Sequence, residues 1–155
     1  MSELNASPAV VSEAHVLHEV SGRVGCITLN RPKALNALSL DMVRELTKAL
    51  LSFQNNPQVL AVLIKGNGKD SPFGHFCAGG DIRFFHQAAL AGDSSLADFS
   101  TEEYALNHLI HTYNKPYIAF MDGVVMGGGM GISQGASVRV VTERSKMAMP
   151  ETHIG

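Results

Sequence analysis

The stretch Met121-Asp122-Gly123-Val124-Val125-Met126-Gly127-Gly128-Gly129-Met130-Gly131-Ile132 carries five glycines in twelve residues, three of them consecutive. An apolar run, Tyr117 to Phe120, leads in, and an Ile/Ser/Gln/Ala segment suited to a helix leads out. Glycine removes the Cβ atoms that would keep a ligand from the backbone amides. Amides that open a helix lack internal partners and lie at the positive end of its dipole. Such a strand–glycine–helix junction suits negative charge, either fixed on a phosphate or developing on a carbonyl oxygen. A second glycine site, Phe76-Cys77-Ala78-Gly79-Gly80-Asp81-Ile82-Arg83, offers a partner. Amides of Ala78 and Gly128 converging on one carbonyl oxygen would form an oxyanion hole, each donor worth about 3 kcal/mol in the transition state. A thioester under attack by water, or an enolate forming beside one, would benefit equally.

Other chemistries need different residues. A dinucleotide fingerprint requires Gly-x-Gly-x-x-Gly or -Ala, but Gly127-x-Gly129 is followed by Ile132 and Gly129-x-Gly131 by Gln134. A P-loop requires Gly-Lys-Ser/Thr, which the chain lacks. Gly131-Ile132-Ser133-Gln134-Gly135 matches the nucleophile elbow, with Glu143 or Glu151 and then His153 in the required order. Ser133, however, falls several residues past the strand, inside the expected helix. Glu151 after Pro150 is either a catalytic carboxylate or an ordinary first-turn helix acid. Glu103 closes a capping box, Ser100-Thr101-Glu102-Glu103, or contacts a ligand. Asp81 caps the helix after the glycines or contacts a ligand. Arg31 and Lys33 suit phosphate groups as charged donors. Among seven histidines, His108 and His111 stand at i, i+3 without a suitably spaced third ligand, so no metal is expected. Met126, Met130, Met147 and Met149 read as filling for a core or an acyl pocket.

The elements that must position these residues follow from periodicity. His15–Val20 and Val24–Leu29 form a strand pair about a turn at Ser21-Gly22-Arg23. Residues 30–38 are a loop, since Pro32 blocks a ladder. Ser39 caps a helix, with Asp41 in its first turn and an apolar stripe from Met42 to Phe53. Val59–Ile64 is an apolar run expected to be a strand covered on both faces. Residues 66–74 form a polar, glycine-rich loop, and 83–98 carry weak helical signals around Gly92–Ser95. A helix behind the capping box presents Tyr104, Leu106, Leu109, Ile110 and Tyr113, and Asn114-Lys115-Pro116 stops it. A strand at 117–122, the glycine stretch, a helix to about Ala136 and a strand at 138–142 complete the pattern. Strands alternating with helices predict an α/β fold with crossover helices.

Bulk properties set the outer limits. The 155 residues suit one domain over 13–155 after a frayed start at 1–12, and 45% apolar with 17% charged residues is a globular composition. A net charge of −2 without a basic run argues against nucleic acid. No apolar stretch approaches the roughly 18 residues of a membrane span. Cys26 and Cys77 suit reduced thiols, and with no leader pattern the expected location is cytoplasmic. The end at Gly155, just past Pro150-Glu151, is expected to be an interruption rather than a natural terminus.

Four motifs in order resemble the enoyl-CoA hydratase/isomerase (crotonase) superfamily: Asn30-Arg31-Pro32…Ala34-Leu35-Asn36-Ala37, Cys77-Ala78-Gly79-Gly80-Asp81, Gly123…Gly127-Gly128-Gly129, and Met149-Pro150-Glu151…Gly155. Within it, Ala78–Arg83, Glu102-Glu103-Tyr104-x-Leu106-Asn107, Met126–Gly131 and Ala148–Thr152 resemble the 3-hydroxyisobutyryl-CoA hydrolase branch. The resemblance implies a crotonase-like fold of repeated ββα units, truncated before the C-terminal helical region, and an acyl-CoA substrate. It implies an oxyanion hole at Ala78 and Gly128 and a catalytic glutamate at Glu151. Substrate contacts are implied at Glu103 and Gly128, and along Lys33, Ala34, Leu35, Gly79, Gly80 and Asp81. No cofactor is implied, CoA being part of the substrate, and self-association is left open. The branch continues with a second functional aspartate, in a segment that would follow Gly155. Enoyl-CoA hydratases carry a second glutamate where this chain has Gly131, so the resemblance favours hydrolysis of a short 3-hydroxyacyl-CoA, as in valine breakdown. A hydratase or isomerase, and a non-catalytic acyl-CoA-binding fragment, are the alternatives.

Overall fold

The computed structural model describes residues 13–69 and 73–154; the start expected to fray, residues 1–12, lies outside the described residues. β1 (Val16–Ser21), exposed after Val16, and β2 (Val24–Leu29), whose side chains alternate between buried and half-buried, form an antiparallel pair turning at Gly22. Ser39 accepts the Met42 N–H and opens α1 (Leu40–Asn55), which buries Met42, Val43, Leu46, Ala49, Leu50 and Phe53 along one stripe. Lys115 holds the far end, its Nζ donating to Phe53 O at 2.6 Å and Asn56 O at 2.8 Å. A cation there meets the negative end of the helix dipole.

β3 (Ala61–Gly66) begins two residues later than the apolar run predicts. Its side chains alternate between buried and half-buried, so both faces are covered as expected, one more fully than the other. Asp81 accepts the Arg83 and Phe84 N–H groups and caps α2 (Ile82–Ala91). The weak signals beyond it belong to α3 (Ser95–His111), which overturns the capping box. With Ser94 at the N-cap, Ser100 lies well inside the helix and Glu103 has no terminus to cap. Phe99, Leu106 and Ile110 form the buried stripe of α3, whereas Tyr104, expected there, is 70% exposed.

β4 (Tyr117–Met121), β5 (Val124–Met126), α4 (Gly128–Gln134), β6 (Val138–Val141), β7 (Lys146–Ala148) and a 3-10 turn at Pro150–His153 complete the chain. The main sheet runs β1-β2-β3-β4-β6, parallel after its first pair. β5 pairs in parallel with β7 and, through Val125, with Cys77, making a small second layer that periodicity did not foresee. Strands of three residues are too short to show a period. Read in order, β1-β2-α1, then β3, the Cys77 bridge and α2-α3, then β4-β5-α4, repeat a ββα unit as expected. The core gathers Ile27, Leu29, Val62, Ile64, Tyr117 and Ala119 with the inner faces of α1 and α3.

Candidate active site

The loop from Asn30 to Ala37 is an anchor. Pro32–Ala34 forms one 3-10 turn, and Leu35 and Asn36 follow with φ of 49° and 56°. Asparagine tolerates that left-handed backbone better than most residues. Buried Asn36 donates to His75 O at 2.7 Å and Asn67 O at 3.1 Å, and accepts the Arg31 N–H at 2.8 Å. Arg31 pairs with Asp81 at 2.8 Å and donates to Ala37 O at 3.1 Å. Burial alone would raise the Asp81 carboxyl, but the Arg31 hydrogen bond and the helix amides outweigh it and hold it below its ordinary value. Arg31 and Asp81 therefore brace the second glycine site.

The hydrogen-bond pattern of that site corrects the expected oxyanion donor. The Ala78 N–H is engaged, donating to Leu35 O at 3.0 Å, so it is not free to bind a ligand. Leu38 N–H donates to Gly79 O at 2.7 Å and Asp81 N–H to Leu38 O at 2.9 Å, which leaves the intervening Gly80 N–H without an acceptor among the described residues. Gly128, the first residue of α4, has the orphan amide of a helix start. The two lie side by side: a Cβ built on Gly128 would stand 3.5 Å from Gly80 N. Both are half-buried. β5 delivers Gly128 here because Cys77 N–H donates to Val124 O and Met126 N–H to Cys77 O, each at 3.0 Å.

Two carboxylates flank the paired amides. Gly127 N–H donates to Ala148 O at 3.0 Å, and this register brings Glu151 against it. A Cβ on Gly127 would lie 2.5 Å from Glu151 Oε1, and its φ of 50° with ψ of −120° suits glycine alone. A Cβ on Gly128 would lie 2.5 Å from Glu103 Oε1. Burial, and then the charge of Glu151, raise the Glu103 carboxyl above its ordinary value. The neighbouring Glu102 points elsewhere, forming an exposed pair with Arg44 at 2.8 Å.

A cleft of about 480 Å³ opens between α3 and the glycine stretch, lined by Glu103, Tyr104, Asn107, Gly131, Met149 and Glu151 among others. A second, of about 350 Å³, is lined by Lys33, Ala34, Leu35, Ala78, Asp81 and neighbours. Gly80 lines both, so it marks where they meet. Asn107 is part of this site although its residue type gave no signal beyond the motif around it. Ser133 is not: it is buried inside α4 and its Oγ donates to Gly129 O at 2.7 Å, which overturns the nucleophile-elbow alternative. Burial pushes the Cys77 thiol up to about 12, so it carries no thiolate at neutral pH.

The enoyl-CoA hydratase/isomerase family model matches residues 24–155. The chain belongs to this family. It is 49% identical over 142 residues to "3-hydroxyisobutyryl-CoA hydrolase, mitochondrial" of Rattus norvegicus, covering 92% of this chain and 36% of that protein. The Homo sapiens protein of the same name is 42% identical over 155 residues, covering 100% of this chain and 39% of that protein. Among solved structures, a carnitinyl-CoA dehydratase from Mycobacterium thermoresistibile aligns with a TM-score of 0.86 at 46% identity, covering 92% of this chain and 41% of its own. An enoyl-CoA hydratase from Rhodobacter sphaeroides 2.4.1 aligns at 0.85 and 42%, with the same coverage. The chain thus spans 36–39% of the length of the curated relatives it matches. Among the described residues no helix is long and apolar enough to cross a membrane, and no His/Cys/Asp/Glu cluster could hold a metal.

Proposed function

We propose that the complete chain carrying this sequence hydrolyses a short-chain 3-hydroxyacyl-CoA thioester, 3-hydroxyisobutyryl-CoA in valine breakdown being the first candidate. The observation that carries this reading is the pair of free amides, Gly80 and Gly128, at the meeting of two clefts with Glu151 beside them. The thioester carbonyl sits at that meeting point, its acyl group toward Glu103 and its CoA along Leu35, Ala34 and Lys33. Glu151 takes a proton from water while the water oxygen bonds to the carbonyl carbon. The displaced electron pair goes to the carbonyl oxygen, which the two N–H groups hold. Collapse breaks the C–S bond, and the proton on Glu151 passes to the departing sulfur, leaving the acid and CoA. Gly80 thereby takes the role expected of Ala78, and Asp81 positions the loop instead of touching substrate. Residue 131 also supports hydrolysis, because glycine stands there where the resemblance gives enoyl-CoA hydratases a glutamate.

Thiol release from 3-hydroxyisobutyryl-CoA is the test. Glu151→Gln is expected to lower kcat by about 10²- to 10⁴-fold with little change in KM; unchanged turnover would remove Glu151 from the mechanism. The hydratase reading is favoured by the names of the aligned solved structures, and loss of crotonyl-CoA absorbance without thiol release would establish it. A non-catalytic fragment would bind CoA calorimetrically without either reaction. We also propose a reducing cellular compartment, which suits two free cysteines. The sequence favoured the cytoplasm and the relatives are named mitochondrial, so cell fractionation separates the two.

A further inference from the structure

Asn107 stands one helical turn beyond Glu103 on α3, and spacing of four places both on the face that lines the larger cleft. Its amide lies against Gly131: a Cβ built on Gly131 would be 2.8 Å from Asn107 Nδ2 and 3.1 Å from Oδ1. The volume that a side chain at 131 would claim is therefore filled from the opposite helix by a neutral amide. Asn107 Oδ1 is closed off from solvent and has no hydrogen-bond partner among the described residues. A buried acceptor left in that state keeps the full cost of losing water, so it calls for a donor. None of the described protein groups supplies one, and the cleft beside it is where the acyl group lies on the proposed function.

We infer that Asn107 selects the acyl group, its side-chain carbonyl accepting a hydrogen bond from a hydroxyl on the acyl chain. The terminal Asn torsion is broad and roughly two-fold, so a modest rotation presents the carbonyl to the cleft. A polar site of this kind discriminates sharply, because an acyl group without the hydroxyl leaves the buried oxygen unpaired again. Gly131 belongs to the same device: the Asn107 amide occupies the place where a side chain at 131 would begin, so a larger residue there would have to displace it. The inference rests on the proposed acyl-CoA substrate but not on the fate of its thioester.

The test compares 3-hydroxyisobutyryl-CoA with isobutyryl-CoA, which lacks only the hydroxyl, on the complete chain. Wild type is expected to favour the hydroxylated substrate in kcat/KM. Asn107→Ala should lose about 10- to 100-fold on that substrate while staying within about threefold on isobutyryl-CoA. Asn107→Ser, which keeps a short acceptor, should recover part of the preference. An equal fall on both substrates would show a structural role and overturn the inference, as would a wild type with no preference. If wild type releases no thiol from either, hydrolysis fails, and the preference is read instead from calorimetric Kd values. Equal Kd values for the two ligands, or a preference that survives Asn107→Ala, would then overturn the assignment.

Discussion

Glu103 and Glu151 stand beside consecutive glycines, Glu151 against Gly127 and Glu103 against Gly128. Burial, and then the charge of Glu151, make the charged form of Glu103 unfavourable, which raises its carboxyl above its ordinary value of 4.5. A carboxyl raised on folding adds stability that is fully present below pH 4.5 and is lost as pH rises through the folded-state value. Glu103→Gln removes that titration. Its melting temperature should exceed that of wild type at pH 7, and the gain should vanish toward pH 4.5. A difference independent of pH would mean that the carboxylate bears no such penalty. Gly127→Ala acts on the other carboxylate: its Cβ would meet Glu151 Oε1 at 2.5 Å and its φ of 50° disfavours any side chain. Backbone strain of this kind costs about 1–3 kcal/mol. We expect thermal destabilisation with kcat falling more than KM changes, since the displaced group is Glu151.

At the scale of elements, one carboxylate serves helix and loop together. Asp81 caps α2 and pairs with Arg31, so it ties the second glycine site to the Asn30–Ala37 loop. Asp81→Ala should cost about 1–2 kcal/mol, the usual value of a lost N-cap, measured by urea denaturation. Asp81→Asn keeps a capping oxygen and should recover most of that loss. If both variants were equally unstable, the Arg31 pair rather than the cap would hold the loop. β5 and β7 do more for the site than their length suggests. Without β5 the two free amides would not meet, and without β7 Glu151 would not reach Gly127.

For the molecule as a whole, the last two strands and the 3-10 turn after them carry exposed apolar side chains. Val138, Val141, Met147, Met149 and Ile154 are each at least 44% exposed, grouped in the final eighteen residues. Apolar patches of that kind drive association or bind a partner. The 155-residue chain on its own should self-associate with rising concentration in analytical ultracentrifugation. Val141→Lys with Met147→Lys should shift it back toward the monomer. A monomer at all concentrations would show that these side chains find cover within the chain.

Local rules read β1, β2 and α1 correctly, the last two because each satisfied its own periodicity, but misplaced the start of α3. β1, β2 and α1 with its Ser39 cap and apolar stripe needed nothing from the rest of the chain. The motifs likewise pointed to one family, and the family match over residues 24–155 agrees. Tertiary structure alone decided which amide is free. Ala78 and Gly80 look equivalent in sequence, and only the Leu35 carbonyl, brought in by a left-handed turn at Asn36, distinguishes them. Glu103 satisfied a local capping rule, yet the helix starts at Ser95 and turns its carboxylate into the cleft instead. Gly131 was legible as an absence. The side chain that fills its place, Asn107, comes from another helix, and no local pattern connects the two.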